Sequence, residues 1–375
     1  MITSMKIRLE PNNKQNTKLF QSAGTARWAY NWAVNKQEEN YKNGGKFLSD
    51  GILRKKLTEL KKTEELKWLN NYSNNITKQA IKDSCVAYVK FFKGLSDKPN
   101  FKSKKKSKPS FYQDNEKIKF TETHVRLEKI GWLKLSEYNR IPTNTKYSNP
   151  RVSFDGVHWF VSVGIELEQE EIELTNESIG IDVGIKYLAI CSNKDEPYKN
   201  INNTKRVKKL EKKLHRLQHK ASRKYEINKE GRSYVKTENI IELEKYIRKL
   251  HKKLDNIRTD YRHKVTTEIV KTKPSRIVME SLNISGMLKN KHLSKAVAKQ
   301  GFYELKTMLK YKAKKYGIEF IEADKWYPSS KTCSECGYIK PKLSLSERSF
   351  ACECCGTVID RDINASINLS KYKIS

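Results

Sequence analysis

Four cysteines fall into two pairs of the same form. Cys333-x2-Cys336 and Cys352-x2-Cys355 are separated by fifteen residues, and a glycine, Gly337 or Gly356, follows each pair. This spacing sets four soft sulfur ligands on two tight knuckles, the donor set of one tetrahedral zinc ion. Cys333, Cys336, Cys352 and Cys355 are therefore read as the ligands of a single structural Zn²⁺. A fifth thiol, Cys354, breaks the repeated frame, and a tetrahedral ion takes four ligands, so it reads as a bystander. Cys85 and Cys191 stand apart from the cluster and read as small buried residues.

Hard ligands follow closely on the soft ones. Asp360 and Asp362 come just after Cys355, at the start of a short helical pattern. Much earlier, Asp182 sits in the apolar run from Ile179 to Val183, where a buried carboxylate is costly without a counter-ion. Glu280 closes the apolar run "IVME". Carboxylates held together disfavour one another's ionisation, and divalent cations relieve that. Phosphodiester hydrolysis suits such a site, with two Mg²⁺ ions about 4 Å apart. Each acid alone has a plainer reading: Glu280 as a strand-end surface residue, Asp360 or Asp362 as a helix cap. The residues leave the choice between Asp360 and Asp362 open. Asn364 reads either as support for a metal-bound water or as a local helix bond.

The elements that must position these groups follow from periodicity. Residues 5–10 alternate as a strand, and 14–94 are helical, with Leu19, Ala23, Ala26, Trp28, Tyr30 and Ala33 on one apolar side. A later helix repeats this with Ile76, Ile81, Val86, Val89 and Phe92, and Asn75 is its expected cap. From 117 to about 168 the period is two, which predicts short strands in a small β-barrel or sheet interrupted by the helical insertion. "SIGIDVG" and "YLAICS" read as buried strands joined by a tight turn. Val207, Leu210, Leu214 and Leu217, then Leu243, Ile247, Leu250, Leu254, Ile257 and Tyr261, mark the seam of an antiparallel helical hairpin. Residues 275–281 form a strand, 296–316 a helix, 318–324 a strand, and a last helix follows the cysteines. This order predicts a mixed α/β layer of ribonuclease-H type.

Charge bounds the partner. Lys and Arg number 76 against 43 Asp and Glu in 375 residues, a net charge of +33. So large an excess repels itself, and a polyanion is its natural complement. It is also uneven: residues 201–270 hold 21 Lys/Arg against 9 Asp/Glu, so the hairpin's polar faces form a basic rail. Residues 101–110 carry five lysines, among them Lys104, Lys105 and Lys106, and no acid. That stretch reads either as a solvated linker or as a phosphate-tracking loop. There is no apolar run of membrane-spanning length and no N-terminal run of signal type, and clustered thiols without such a signal suggest metal ligation rather than disulfides.

These residues carry a family resemblance. "GIDVGIKYLAI", "IVMESLNISGMLKN", "YPSSKTCSECG" and "DRDINASIN" resemble the signature segments of TnpB, the transposon-encoded RNA-guided endonucleases related to type V CRISPR effectors. "RLEPNNKQ…AGTARWAYNWAV" and "LEKIGWLKL" are similar too, so the likeness covers most of the chain. It implies a wedge-type β-barrel over 1–13 and 95–175, with a helical recognition domain inserted over 14–94. A RuvC-like nuclease of RNase H-like fold is implied over 176–329 and 358–375, holding the basic hairpin 203–270, with a zinc-ribbon target-binding insert over 330–357. The family's active Asp lies two residues before an Asn-Ala pair, which selects Asp362, and the implied Mg²⁺ triad is Asp182, Glu280 and Asp362. The zinc ligands carried over are again Cys333, Cys336, Cys352 and Cys355. Gln79 lies in a segment similar to the family's motif-contacting helix, and Lys104, Lys105 and Lys106 join it as expected nucleic-acid contacts. Implied partners are a guide RNA and double-stranded target DNA beside a short adjacent motif, in a prokaryotic, nucleoid-associated cytoplasmic protein that is most simply a monomer. A guided repressor that does not cut, or a transposase acting directly on DNA ends, are the rival readings. Cys354, and "FYELK" where the family often has a Trp, are the departures.

Overall fold

The protein is described here by a computed structural model, which covers residues 2–166, 172–344 and 347–373. The end of the last expected strand, at 167 and 168, and the final residues 374–375 lie outside them. The chain divides into two compact units, Met1–Glu168 and Gln169–Ser375.

In the first unit, strand β1 (Ile2–Glu10) leads into helix α1 (Asn13–Lys42). The turn between them is fixed by a capping box: the Asn12 side chain accepts from the Gln15 amide, and the Gln15 side chain accepts from the Asn12 amide. Helices α2 (Asp50–Leu60) and α3 (Asn74–Phe92) complete the insertion. Ser73, not Asn75, caps α3, because Asn74 and Asn75 already belong to the first turn and the Ser73 hydroxyl accepts from the Asn75 amide. Burial along α3 follows Ile76, Ile81, Cys85 and Tyr88. Val86 and Val89 each lie one residue, about 100°, off that stripe and are exposed, contrary to the expected apolar side.

Strands β2 (Ser110–Tyr112), β3 (Lys119–Phe120), β4 (His124–Leu127), β5 (Gly131–Leu135), β6 (Tyr147–Phe154) and β7 (Trp159–Glu166) join β1 in one sheet of order β2-β6-β7-β1-β5-β4-β3. The expected barrel is not closed: among the described residues the edge strands β2 and β3 do not pair. They are three and two residues long, too short to build a closing ladder. Phe111 and Phe120 from these two edges nevertheless enter the same apolar cluster as Ile7, Leu133 and Val161.

The second unit holds β8 (Ser178–Asp182), β9 (Tyr187–Cys191), β10 (Tyr198–Lys199) and α4 (Lys205–Ile227). The pair β11 (Lys229–Glu230) and β12 (Ser233–Tyr234) turns the chain into α5 (Glu238–Lys271). Then come β13 (Arg276–Glu280), α6 (Ile284–Lys289), α7 (Ser294–Gln300), α8 (Phe302–Tyr316) and β14 (Glu319–Ala323). Strands β15 (Ser349–Ala351) and β16 (Val358–Asp360) precede α9 (Arg361–Ser370). Val207 and Leu214 of α4 pack on Leu250 and Leu254 of α5, the expected hairpin seam. The helix expected over 296–316 is broken at Gly301, whose φ of +68° ends α7 and starts α8.

The main sheet has the order β10-β9-β8-β13-β14, with β8, β13 and β14 parallel and β9 antiparallel to β8. Alternation then sorts its two faces. Ile179, Ile181, Ile277 and Met279 cluster with Val265 and Ile269 of α5 and with Leu305 and Leu309 of α8. Val278, Ile321 and Ala323 on the other face pack with Leu369 of α9. The unit is a helix–sheet–helix sandwich. Among the described residues no helix is long and apolar enough to cross a membrane.

Candidate metal centre and carboxylate site

Strands β8 and β13 are in register from Arg276 opposite Ser178 to Met279 opposite Ile181. One residue further on, Asp182 and Glu280 end the two strands side by side. Asp182 shares a face with Gly180, and α9 lies against that face. A Cβ on residue 180 would overlap the Ser366 carbonyl and the Ser370 amide and come within 2.8 Å of Leu369 Cβ. The far end of α9 is tied to the strand starts, where the Ser178 hydroxyl and the Arg276 guanidinium donate to the Ser370 carbonyl at 2.7 and 3.1 Å. The helix thus runs back along the strands. From Ser370 to Asp362 it rises about 12 Å, and from Ser178 to Asp182 a strand rises about 13 Å. Matching lengths bring Asp362 level with Asp182 and Glu280.

Electrostatics agree with this placement. Burial pushes the Asp182 carboxyl well above the ordinary carboxylate range, and the charges of Glu280 and Asp362 push it further, while Arg361 opposes them. Burial also raises Glu280. Arg361 pairs with Asp362 at 3.3 Å. Asp360 does other work: its side chain accepts from the amides of Asp362 and Ile363 at 2.9 and 3.2 Å, capping α9.

The four paired cysteines converge so that their sulfur atoms all lie within 4.8 Å of one another. Among the described residues no other set of three or more His, Cys, Asp or Glu side chains does so. Cys333 and Cys355 are 3.6 Å apart and Cys336 and Cys352 3.5 Å. Ligands at about 2.3 Å from a tetrahedral zinc would stand about 3.8 Å apart, so the quartet fits that ion. Gly337 and Gly356 take φ values of +78° and +75° and donate to the carbonyls of Cys333 and Cys352. The Thr357 hydroxyl draws the Cys355 thiol down to about 6, and the Cys355 amide lowers Cys352. Cys336 receives a lowering contact from the Tyr338 backbone, but burial and the three neighbouring thiols push it up. Four thiols this close ionise together only around a cation. Cys354 is exposed and outside the group.

The ribbon and the carboxylate helix are physically joined, through side-chain bonds that the sequence did not foretell. The side chain of Asn364, fully buried, is taken up outside its own helix: its amide donates to the Thr332 carbonyl at 2.7 Å and its oxygen accepts from the Ser334 amide at 2.9 Å. Asn368 donates to the carbonyls of Ser329 and Thr332, and Lys371 donates to that of Ser334. Thr332 and Ser334 flank Cys333. The i, i+4 spacing of Asn364 and Asn368 was the available signal.

The expected nucleic-acid contacts are not gathered together. Gln79 on α3 donates to Asp83 at 2.8 Å, and Arg151 holds Asp83 through two bonds of 2.9 and 3.0 Å. Gln79 lines a cleft of ≈ 180 Å³ with Arg27, Lys102, Lys108 and Arg151. Lys104, Lys105 and Lys106 form an exposed turn outside that lining. Arg27 and Arg151 escaped sequence reasoning because they come from a distant helix and strand.

Three family patterns match the chain. Residues 161–291 fit one described as "Probable transposase", 1–46 one described as "Helix-turn-helix domain", and 302–369 one described as "Cas12f1-like, TNB domain". A protein of Streptomyces pristinaespiralis named "Putative RNA-guided DNA endonuclease" is 31% identical, over 98% of this chain and 88% of that protein. One of Escherichia coli K12, named "Putative RNA-guided DNA endonuclease InsQ", is 28% identical over 98% and 91%. The protein solved as "Cryo-EM structure of the Cas12f1-sgRNA-target DNA complex" has the same fold at a TM-score of 0.64 and 15% identity, covering 99% of this chain and 98% of that one.

Proposed function

This chain belongs to the TnpB family of RNA-guided DNA endonucleases, and from that membership we propose how it acts. A transposon-derived guide RNA directs it to double-stranded DNA beside a short adjacent motif, and phosphodiester bonds are hydrolysed at Asp182, Glu280 and Asp362. The observation that carries the reading is that Asp182 and Glu280 end two paired parallel strands against which α9, the helix bearing Asp362, is packed. Such a set suits Mg²⁺, which when bound would activate a water and stabilise the departing oxygen. The chain's own part is to hold three carboxylates on a strand pair and a helix that cannot slide past one another. Asp360 keeps the helix start in place, and Arg361 lies against Asp362.

In the same reading, residues 1–13 with 95–175 serve as the wedge domain and 14–94 as the helical recognition domain. Residues 176–329 with 358–375 are the RuvC-like nuclease, and the parallel centre of its sheet supports an RNase H-like assignment. Residues 330–357 are the zinc-bearing target-binding insert. Gln79 and the Lys104–Lys106 turn contact nucleic acid.

Cleavage of guide-matched DNA tests this. Asp182→Ala, Glu280→Ala and Asp362→Ala should each abolish Mg²⁺-dependent cutting while leaving guided binding largely intact. Asp360→Ala should keep cutting and lose about 1 kcal/mol of stability with its cap. Cutting lost with Asp360→Ala but kept with Asp362→Ala would reverse the assignment. A discrete RNA should co-purify with the protein, and its absence would favour a transposase.

A further inference from the structure

The first unit carries a cleft of ≈ 420 Å³ between the C-terminal turns of α1 and α3 and the segment that follows α1. That volume is within the roughly 300–1,000 Å³ of ordinary small-ligand clefts. Its walls are aromatic: Phe47, Tyr88, Phe91 and Phe92. Phe92 stands 5.6 Å from both Phe47 and Phe91 and 6.0 Å from Tyr88, ring centre to ring centre. The rings are not closed over, since Phe92 is 61% exposed and Tyr41 at the rim 80%. Tyr88 is buried, and its hydroxyl has no hydrogen-bond partner among the described residues. Lys42, Lys46 and Lys98 edge the cleft. Glu38, the acid among the lining residues, is taken up by Lys98 at 3.2 Å.

Exposed rings grouped in a concave, cationic setting mark a binding surface. The occupant must offer a flat π face and a negative charge. A second copy of this chain offers +33 and repels. An unpaired nucleotide offers both features: its base stacks on aromatic side chains while its phosphate meets lysines. Duplex DNA keeps its bases stacked and paired, and extruding one costs a few kcal/mol. Folded RNA presents bases already splayed from its loops. We propose that this cleft holds an unpaired nucleotide of the bound RNA, its base against Phe92 and Phe47 and its phosphate at Lys42 and Lys46. The inference rests on the reading of this chain as an RNA-guided protein.

The test uses the full chain and a single-stranded oligouridylate carrying 5-iodouridine, photo-crosslinked and mapped by mass spectrometry, with the deoxy oligonucleotide in parallel. Crosslinks should fall on Phe92, Phe47 or Tyr41. Phe91→Ala with Phe92→Ala, and Tyr41→Ala separately, should weaken RNA binding about tenfold at unchanged Tm. RNA crosslinks confined to other residues, or unchanged affinity in these variants, overturn the proposal. So does crosslinking of the cleft by DNA alone. Conversion of a dimer to a monomer by Phe92→Ala at unchanged RNA affinity would assign the cleft to self-association instead. Guided cutting that persists with a cleft indifferent to RNA refutes this inference alone, whereas a protein that binds no RNA refutes the broader reading as well.

Discussion

Burying the Asp182 carboxylate against Glu280 and Asp362 works against folding, and the direction of the effect with pH follows from its raised pKa. Between the ordinary carboxylate range and that raised value, the folded chain binds more protons than the unfolded one. Stability is therefore highest with Asp182 protonated and falls as pH rises through this window. In Mg²⁺-free buffer at neutral pH, Asp182→Asn should melt a few degrees above the wild type, and the difference should shrink as pH falls through the raised pKa. A variant that melts no higher at neutral pH would contradict this. Asp182 was legible in the sequence because a charge inside an apolar strand is an anomaly. Asn364 was not, because the groups it meets lie some thirty residues upstream, and helical spacing says which residues share a face but not what that face touches.

Strands and helices were legible from their periods, but how closely two of them approach was not. Gly180 is the instance: only the fold shows that the backbone of α9 fills the space beside it. Because backbone cannot rotate away, Gly180→Ala should cost on the order of 1–3 kcal/mol and lift α9 from β8. Cutting should fall with it, since α9 carries Asp362; a variant that melts and cuts normally would show that the helix is not held this way. The same helix is bonded to the first zinc knuckle, so loss of the metal should reach the carboxylates. Cys352→Ser should lower zinc content and slow cleavage, whereas Cys354→Ser should change neither. Asn364→Ala separates the two roles: zinc content should hold, because its four ligands remain, while cleavage drops. Zinc-ligand variants that stay folded and cut at the normal rate would refute the coupling.

At the scale of the whole chain, alternation predicted the strands of the first unit but not whether their sheet closes. Closure depends on what the edge strands pair with, and a period of two carries no information about that partner. Charge was legible in full, and its consequence is measurable. The exposed polar face of α4 presents Lys209, Lys212, Arg216 and Lys220, and none of the ion pairs seen among the described residues involves these four. If the hairpin tracks a nucleic-acid backbone, each of these cations displaces counter-ions from a phosphate. The logarithm of the RNA affinity should then fall linearly with the logarithm of salt concentration, with a slope of roughly 0.7 for each single-stranded phosphate neutralised. Changing all four to glutamine should weaken binding at low salt and flatten that slope, and the two effects together identify backbone contact. Weaker binding at an unchanged slope would mean that the substitutions had disturbed the helix rather than removed phosphate contacts. Because the seam residues Val207 and Leu214 are buried on the opposite side of α4, the melting curve should stay where it was.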